Sequence, residues 1–376
     1  MNNNVISIIS NGFKYQDCWE RMNIRMSMEN ICSEISLSTL NFFEKELGLY
    51  KSSKNGEWKL KKGNQYIAMI DNEKISTGYI DRVGINYDAN SSDIEFYLRD
   101  KTSDIVDCCY FSETENEFKD QKLIDIFKKL CDPFSIEIEV DPTVQSLVNT
   151  KLENYTVDQG RSVADLIVDE CVKLGILVIT NSDGKLFLTQ PTLSDISSDI
   201  LTDTNILSAQ MGSSLTDRYS NYITKAEIKP DKLYEVDQEQ EWIEKEKAGS
   251  YRNKKKVEDA ELRNRFRPYI MLSDTAQTIE DCIKRSLYEA NIRRAKGLLI
   301  NYTLEGWTEV NSGKIWKPNR LVKVKDSKFE IDELMLINAV NLDFDSDSGY
   351  MSTLELVRKE CYSTNEQAIQ LVKKGF

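Results

Sequence analysis

The chain has 376 residues, a net charge of −13 from 62 acidic and 49 basic side chains, and no histidine. Without imidazole there is no Ser-His-Asp or Cys-His catalysis and no histidine-containing zinc site. The isoelectric point near 4.9 argues against nucleic-acid binding across the whole surface.

Eight cysteines contain no C-x-x-C spacing, so zinc ribbons and thioredoxin-like motifs find no support. Cys131, Cys171 and Cys282 fall on apolar helical faces and read as buried free thiols. The start, MNNNVISIISNGFKYQ, lacks a basic region followed by a long apolar run, and no apolar run reaches the roughly 20 residues of a membrane helix. The expectation is a chain folded in a reducing cytoplasm, with two to four domains and no membrane insertion.

Segment 1–112 is rich in alternation and turns. Ile31–Leu37, Tyr66–Ile70, Thr77–Tyr87 and Asp93–Arg99 read as strands, with a hairpin turn at Asn90–Asp93. Segment 113–195 reads as a compact α+β module. A helix carries Leu123, Ile124, Phe127 and Leu130 on one face and precedes a strand at Ser135–Val140. Ser162, with Asp165 three residues on, caps a second helix burying Val163, Leu166, Ile167, Cys171 and Leu174. Gly175 ends it, and a hairpin follows, turning at Ser182-Asp183-Gly184.

Ser208–Met211 and Tyr222–Ile228 read as strands that pair with strands beyond residue 298. Between them, Tyr234–Arg267 is the most charged and least periodic stretch, an exposed excursion or a partly disordered insert. Its one basic cluster, Lys254-Lys255-Lys256, reads as a solvated loop. A helix over Thr278–Lys296 places Ile279, Cys282, Ile283, Leu287 and Ala290 on one stripe. Two alternating strands follow, Leu299–Trp307 and Leu321–Lys325, with Ile300, Tyr302 and Leu304 on one face. Their connection holds Gly313, Trp316 and Pro318. Trp307 and Trp316 read as a small satellite core, with a carbohydrate-stacking platform as the sharper alternative. Glu333–Phe344 and Ser352–Arg358 are the last strands.

The two β regions resemble each other. Val83-Gly-Ile-Asn-Tyr87 and Val340-Asn-Leu-Asp-Phe344 share a pattern, and each precedes a polar turn. Beyond a one-residue offset, Phe96-x-Leu98 matches Leu354-x-Leu356. The expected fold is α+β and β-rich: two similar antiparallel β-barrels, with an inserted α+β module and a helical, charged insertion. The boundaries are 1–112 (first barrel), 113–195 (module), 196–233 with 298–362 (second barrel), 234–297 (charged insertion and helix) and 363–376 (C-terminal tail).

Nothing in the sequence signals an enzyme, and no catalytic, cofactor-binding or metal-ligating residue is assigned. Asp343-x-Asp345-x-Asp347-x-Gly349 looks like a calcium loop, but the sixth and twelfth positions are Ser348 and Leu354 where an EF-hand needs Gly and Glu. It reads as a hairpin turn. The many carboxylates supply pairs for a glycoside hydrolase, yet none sits in an apolar setting. Phosphate loops, dinucleotide fingerprints and nucleophile elbows are absent.

Three segments carry a resemblance. The first is Thr77-Gly-Tyr-Ile-Asp81, then Tyr87-Asp88 and Leu98-Arg-Asp-Lys-Thr-Ser-Asp-Ile-Val-Asp107. The second is Asp259-Ala-Glu-Leu-Arg-Asn-Arg-Phe-Arg-Pro268, followed by a helix with Arg293 and Arg294. The third is Gly306-Trp307, Gly313, Trp316, Pro318-Asn319 and Leu321-Val-Lys-Val324. Together they resemble the baseplate hub proteins of contractile-tailed phages, the Mu-like tail proteins and their relatives in larger myoviruses. The lysine-rich insert and acidic balance depart from that pattern.

The resemblance implies a virion structural protein of the tail baseplate, assembled in the host bacterial cytoplasm and needing no cofactor. It implies a homotrimer of tube-type barrels, two per subunit, adapting a sixfold tail tube protein to a threefold central spike protein, with other baseplate proteins around it. DNA would pass through the lumen only as cargo, and an acidic lumen would repel it. A tail-associated peptidoglycan hydrolase is the alternative. The spike itself is a third reading, which 16 glycines without a fixed period count against.

Overall fold

A computed structural model describes residues 5–16, 18–40, 50–51, 57–58, 60–90, 92–112, 116–227, 250–252, 257–262, 264–273 and 279–363. Alternating apolar residues build two sets of six strands. The first comprises β1 (Ile6–Ser10), β2 (Arg21–Ser27), β3 (Glu34–Leu40), β4 (Gln65–Ile70), β5 (Glu73–Tyr87) and β6 (Ser92–Asp100). They lie side by side in the order β2-β3-β6-β5-β4-β1, with Phe13–Gln16 outside β1. The second comprises β7 (Ile196–Thr202), β8 (Ser208–Ser213), β9 (Leu298–Glu305), β10 (Leu321–Asp326), β11 (Ile331–Asp345) and β12 (Gly349–Arg358). Their order is β8-β9-β12-β11-β10-β7. Each strand of the first set thus has its counterpart six numbers later, in the same chain order and the same spatial order. One difference stands out: β1 pairs antiparallel with β4, whereas β7 pairs parallel with β10.

The likeness reaches single residues. β5 and β11 are each 15 residues long. Each carries one bulged residue against its hairpin partner, Asp81 against β6 and Asn338 against β12. Counted from the bulges, Val83 matches Val340 and Tyr87 matches Phe344, the alignment of the sequence repeat. Across the hairpins, Val83 faces Phe96 as Val340 faces Leu354, and Ile80 faces Leu98 as Ile337 faces Leu356. A bulge fixes register and twist, so its recurrence at the same place marks a repeated structural unit.

The outer edge of β2 pairs with Ala339–Asp345 of β11, which joins both sets into one 13-stranded sheet. No pairing among the described residues closes either set on itself. What the structure presents is a β-rich α+β chain with two repeated sheets joined edge to edge. One apolar cluster spans both, including Ile8, Ile24, Ile35, Phe96, Val340, Leu342 and Leu354.

The expected strand at Ile31–Leu37 is displaced. β3 begins at Glu34, while Ile31 packs into the cluster of the neighbouring module. β2 is a strand beyond those expected, and its Met22, Ile24 and Met26 alternate inward.

In the module, α1 (Leu123–Cys131) buries Leu123, Ile124, Phe127 and Leu130. Ser135 takes a left-handed conformation that closes a 3-10 turn, so the next strand starts only at Ile138. The N–H of Asp165 donates to Ser162 Oγ (3.1 Å) at the start of α2 (Val163–Lys173). Gly175 follows with φ of +68°, and the hairpin Leu177–Thr180 with Leu186–Thr189 packs beside it.

A further correction concerns Asn221–Glu227. This strand does not pair with the strands beyond residue 298, as Ser208–Ser213 does. It is the centre of a separate four-stranded sheet with Ser250–Arg252, Val257–Glu258 and Pro268–Ser273. Tyr222, Val257 and Met271 from this sheet pack on Leu287 and Ala290 of α3 (Ile279–Lys296). Alternation fixes the two faces of a strand but not its neighbour. Part of the stretch expected to be irregular is therefore strand, while 234–249 and Lys254-Lys255-Lys256 lie outside the described residues, as do 364–376.

Candidate functional site

The β2–β11 junction is where the two strand sets become one surface. Antiparallel register sets Ile24 opposite Leu342, Met26 opposite Val340 and Met22 opposite Phe344. Ile24, Leu342 and Val340 are fully buried. On the opposite face Arg21 Nε donates to Asp345 Oδ2 at 3.1 Å and Asn23 Nδ2 to Asp343 Oδ1 at 2.6 Å. The amide of Asp347, helped by Arg21, holds the Asp345 carboxyl below the usual carboxylate range. An open groove of about 440 Å³ lies over this face, with Arg21, Arg82, Glu95, Asp343 and Asp345 on its walls. Its charges are mixed, and Asp343 and Asp345 already serve strand pairing. No serine, cysteine or lysine in it is held by a base.

The Asp343–Gly349 segment is a hairpin turn. Asp345 pairs with Gly349, the Asp347 N–H donates to Asp345 Oδ1 (2.9 Å), and Gly349 has φ of +80°. Among the described residues, no group of three or more Cys, Asp or Glu gathers to hold a metal ion.

Trp307 and Trp316 are buried, and they belong to the main apolar cluster, not to a satellite core. Trp307 Nε1 donates to the Asp343 carbonyl at 2.9 Å, and its ring stands edge-on to Tyr350 at 4.9 Å between centroids. The Trp316 N–H donates to the Trp307 carbonyl at 3.0 Å, which folds the connection back on itself. Neither indole presents a face for stacking a sugar. Pro318 precedes Asn319, whose φ of +59° and side chain turn the chain: its Oδ1 accepts from the Thr192 N–H at 2.8 Å.

A polar latch that no motif announced holds this connection to β7. Glu309 is buried and paired with Arg320, and accepts hydrogen bonds from Ser198 Oγ (2.8 Å) and Ser312 Oγ (2.7 Å). Burial pushes its carboxyl upward, but those hydroxyl bonds and Arg320 outweigh burial and hold it below the usual range. Asp199 accepts from the N–H groups of Val310 and Asn311 at 2.6 and 2.9 Å. Satisfied buried networks of this kind fix one geometry.

Asp100, at the end of β6, is a buried carboxylate. Burial pushes it up to about 6, against hydrogen bonds from Ser76, the Ser33 N–H and Thr180. A folded-state value above the usual 3.8 means that the folded protein takes up the proton first. Stability from this group therefore falls as pH rises from about 4 to about 6, then levels. Asp100→Asn is expected to remove that slope. Melting temperatures measured from pH 4 to 7 check it, and parallel curves for the two proteins would contradict it.

Comparison with known proteins completes the picture. Residues 5–100 match a family described as Mu phage baseplate assembly protein GpP-like, N-terminal. Residues 102–190 match baseplate hub protein gp44-like, second domain, and residues 278–365 match Mu phage baseplate assembly protein GpP, fourth domain. The baseplate hub protein gp44 of Escherichia phage Mu is 24% identical over 314 residues, covering 83% of this chain and 80% of that protein. The 43 kDa tail protein of prophage MuSo2 from Shewanella oneidensis superposes with a TM-score of 0.78 at 25% identity, over 96% of this chain and all of that one. The tail protein from Neisseria meningitidis MC58 shares the fold, with a TM-score of 0.74 at 16% identity over 96% and 98% of the two chains. A component of the E. coli type VI secretion system, described as similar to the T4 tail proteins gp27 and gp5, shares it more loosely (TM-score 0.52, 9% identity, 93% and 76% covered). The chain belongs to the family of Mu-like phage baseplate hub proteins, structural components of the phage tail.

Proposed function

We propose that this hub protein is a non-enzymatic symmetry adaptor. Three copies form a ring, each giving two similar tube-type units, so that six units face a sixfold tail tube while three subunits hold a threefold spike. The repeated order of six strands, joined edge to edge with the bulges at Asp81 and Asn338 in register, is the observation that carries this reading. A chain that contains the same unit twice turns threefold symmetry into approximate sixfold symmetry without a second gene product.

Other features agree with it. Mixed ion pairs and engaged carboxylates line the groove, so its chemistry suits contact more than bond cleavage. The fold also occurs in a chain of the Francisella PdpA–VgrG complex (TM-score 0.53, 10% identity), so it is found within multi-protein assemblies. The charge of −13 suits a bore that lets DNA pass without holding it.

The test pairs purified chain with the spike protein of the same particle. Co-elution at equal subunit numbers is the expected result, with no release of soluble fragments from peptidoglycan. Fragment release lost in a variant of one carboxylate would replace the adaptor with the hydrolase.

A further inference from the structure

β5 and β11 hold the same place in the two strand sets, yet among the described residues only β11 has its outer edge covered. Ala339–Asp345 pairs with β2. The matching stretch of β5, Arg82–Tyr87, has β6 on one side and no partner on the other among the described residues, because pairing with β4 ends at Tyr79. The counterpart of β2 is β8, whose six residues are all exposed and which pairs with β9 alone among the described residues. The strip β8-β9-β12-β11-β2-β3-β6-β5 therefore contains one finished junction at its middle and its two unfinished halves at its ends.

We propose that Arg82–Tyr87 of β5 pairs antiparallel with β8 of a second copy of this chain, repeating between copies the junction that β11 and β2 make within one. The register follows from the repeat. Leu98 and Leu356 correspond, so Ile35 corresponds to Ile300 and Ile24 to Met211. The internal pair Leu342–Ile24 then becomes Ile85 opposite Met211, with Val83 opposite Ser213 and Tyr87 opposite Ala209.

Exposure supports the assignment. Leu342 and Ile24 are 0% exposed at the finished junction, whereas Ile85 and Met211 are each 43% exposed and Tyr87 is 78% exposed. Side-chain size compensates across the new pairs: the large Tyr87 meets Ala209 where Phe344 meets Met22. On the polar face the Asn23–Asp343 contact is replaced by Gln210 opposite Asn86, two amides that offer both donor and acceptor. Unpaired edges carrying apolar side chains invite association. Because the two edges differ, the contact runs head to tail and closes into a ring only at a fixed number of copies. That number alone rests on the hub reading.

Cysteine cross-linking of the full chain tests the pairing, with Cys108 and Cys109, the exposed native thiols, changed to serine throughout. Opposed residues of antiparallel strands lie about 4.5–5.5 Å apart at Cα, within disulfide range. Ile85→Cys with Met211→Cys is expected to give reducible cross-links between copies, ending at three. Ile85→Cys with Gln210→Cys, one residue out of register and on the opposite face, is expected to give at least about tenfold less. Equal yields from the two pairs overturn the register. A trimer by mass that gives no 85–211 cross-link overturns the pairing while leaving the hub reading intact. A chain that stays monomeric and uncross-linked at every concentration overturns the pairing, and spike binding then decides the hub reading separately.

Discussion

Trp316→Ala is expected to lower the unfolding free energy by about 3–5 kcal/mol, the range for removing a buried aromatic side chain. The indole lies inside the cluster that spans both strand sets, so the cavity would open in a core with little freedom to collapse. Its backbone bond to the Trp307 carbonyl survives the substitution, which leaves packing as the main loss. Lys314→Ala, on the exposed part of the same connection, should stay within about 0.5 kcal/mol. Denaturant unfolding of the two variants makes the comparison. An unchanged midpoint for Trp316→Ala would place the indole at the surface and restore the sugar-stacking reading.

Arg218→Ala should cost about as much, roughly 3–5 kcal/mol, because it breaks a buried ion pair from one side. Arg218 and Asp259 side chains are 5% and 4% exposed. Nε and Nη2 of the guanidinium donate to the carboxylate at 2.7–2.9 Å, and Nη1 reaches Glu261 at 2.7 Å. Gly297 belongs to the same arrangement, since a Cβ there would fall 2.8 Å from Arg218 Cδ. The pair ties the segment before Asn221 to the one after Val257. Loss of protection in hydrogen exchange should therefore concentrate in the small sheet and α3, sparing the 13-stranded sheet. Arg218→Leu with Asp259→Leu should recover part of the loss, since no charge is then left buried alone. Uniform loss of protection across the chain would contradict this local role.

Much of the fold is legible in the sequence because strand alternation is a local signal. The hairpins Glu73–Asp100 and Ile331–Arg358 announce themselves through apolar residues at every second position, Val83, Ile85 and Tyr87 in one and Val340, Leu342 and Phe344 in the other, and their shared pattern marks the repeated strand order. The Ser162 cap and the Gly175 stop of α2 are equally local. β2 was also readable: Arg-Met-Asn-Ile-Arg-Met-Ser alternates as clearly as any strand here. The junction that joins the two sets depends on this strand.

Other features had no local signal. That Asn221–Glu227 sits in a separate sheet depends on strands beyond residue 249, two of which, Ser250–Arg252 and Val257–Glu258, are too short for alternation to show. The Glu309 latch unites side chains up to 111 positions apart, and Arg218 meets Asp259 across 41. Among 62 carboxylates, nothing in the sequence distinguishes the few that become buried partners. Those contacts are set by where strands dock, which spacing alone does not encode.

Sedimentation of the purified full chain over a wide concentration range tests the adaptor most directly. The ring predicts a species near 130 kDa, three times the 43.4 kDa subunit, which gives way to monomer on Ile85→Asp substitution without loss of fold. A 43.4 kDa monomer at all concentrations, unchanged when the spike protein is added, would contradict it.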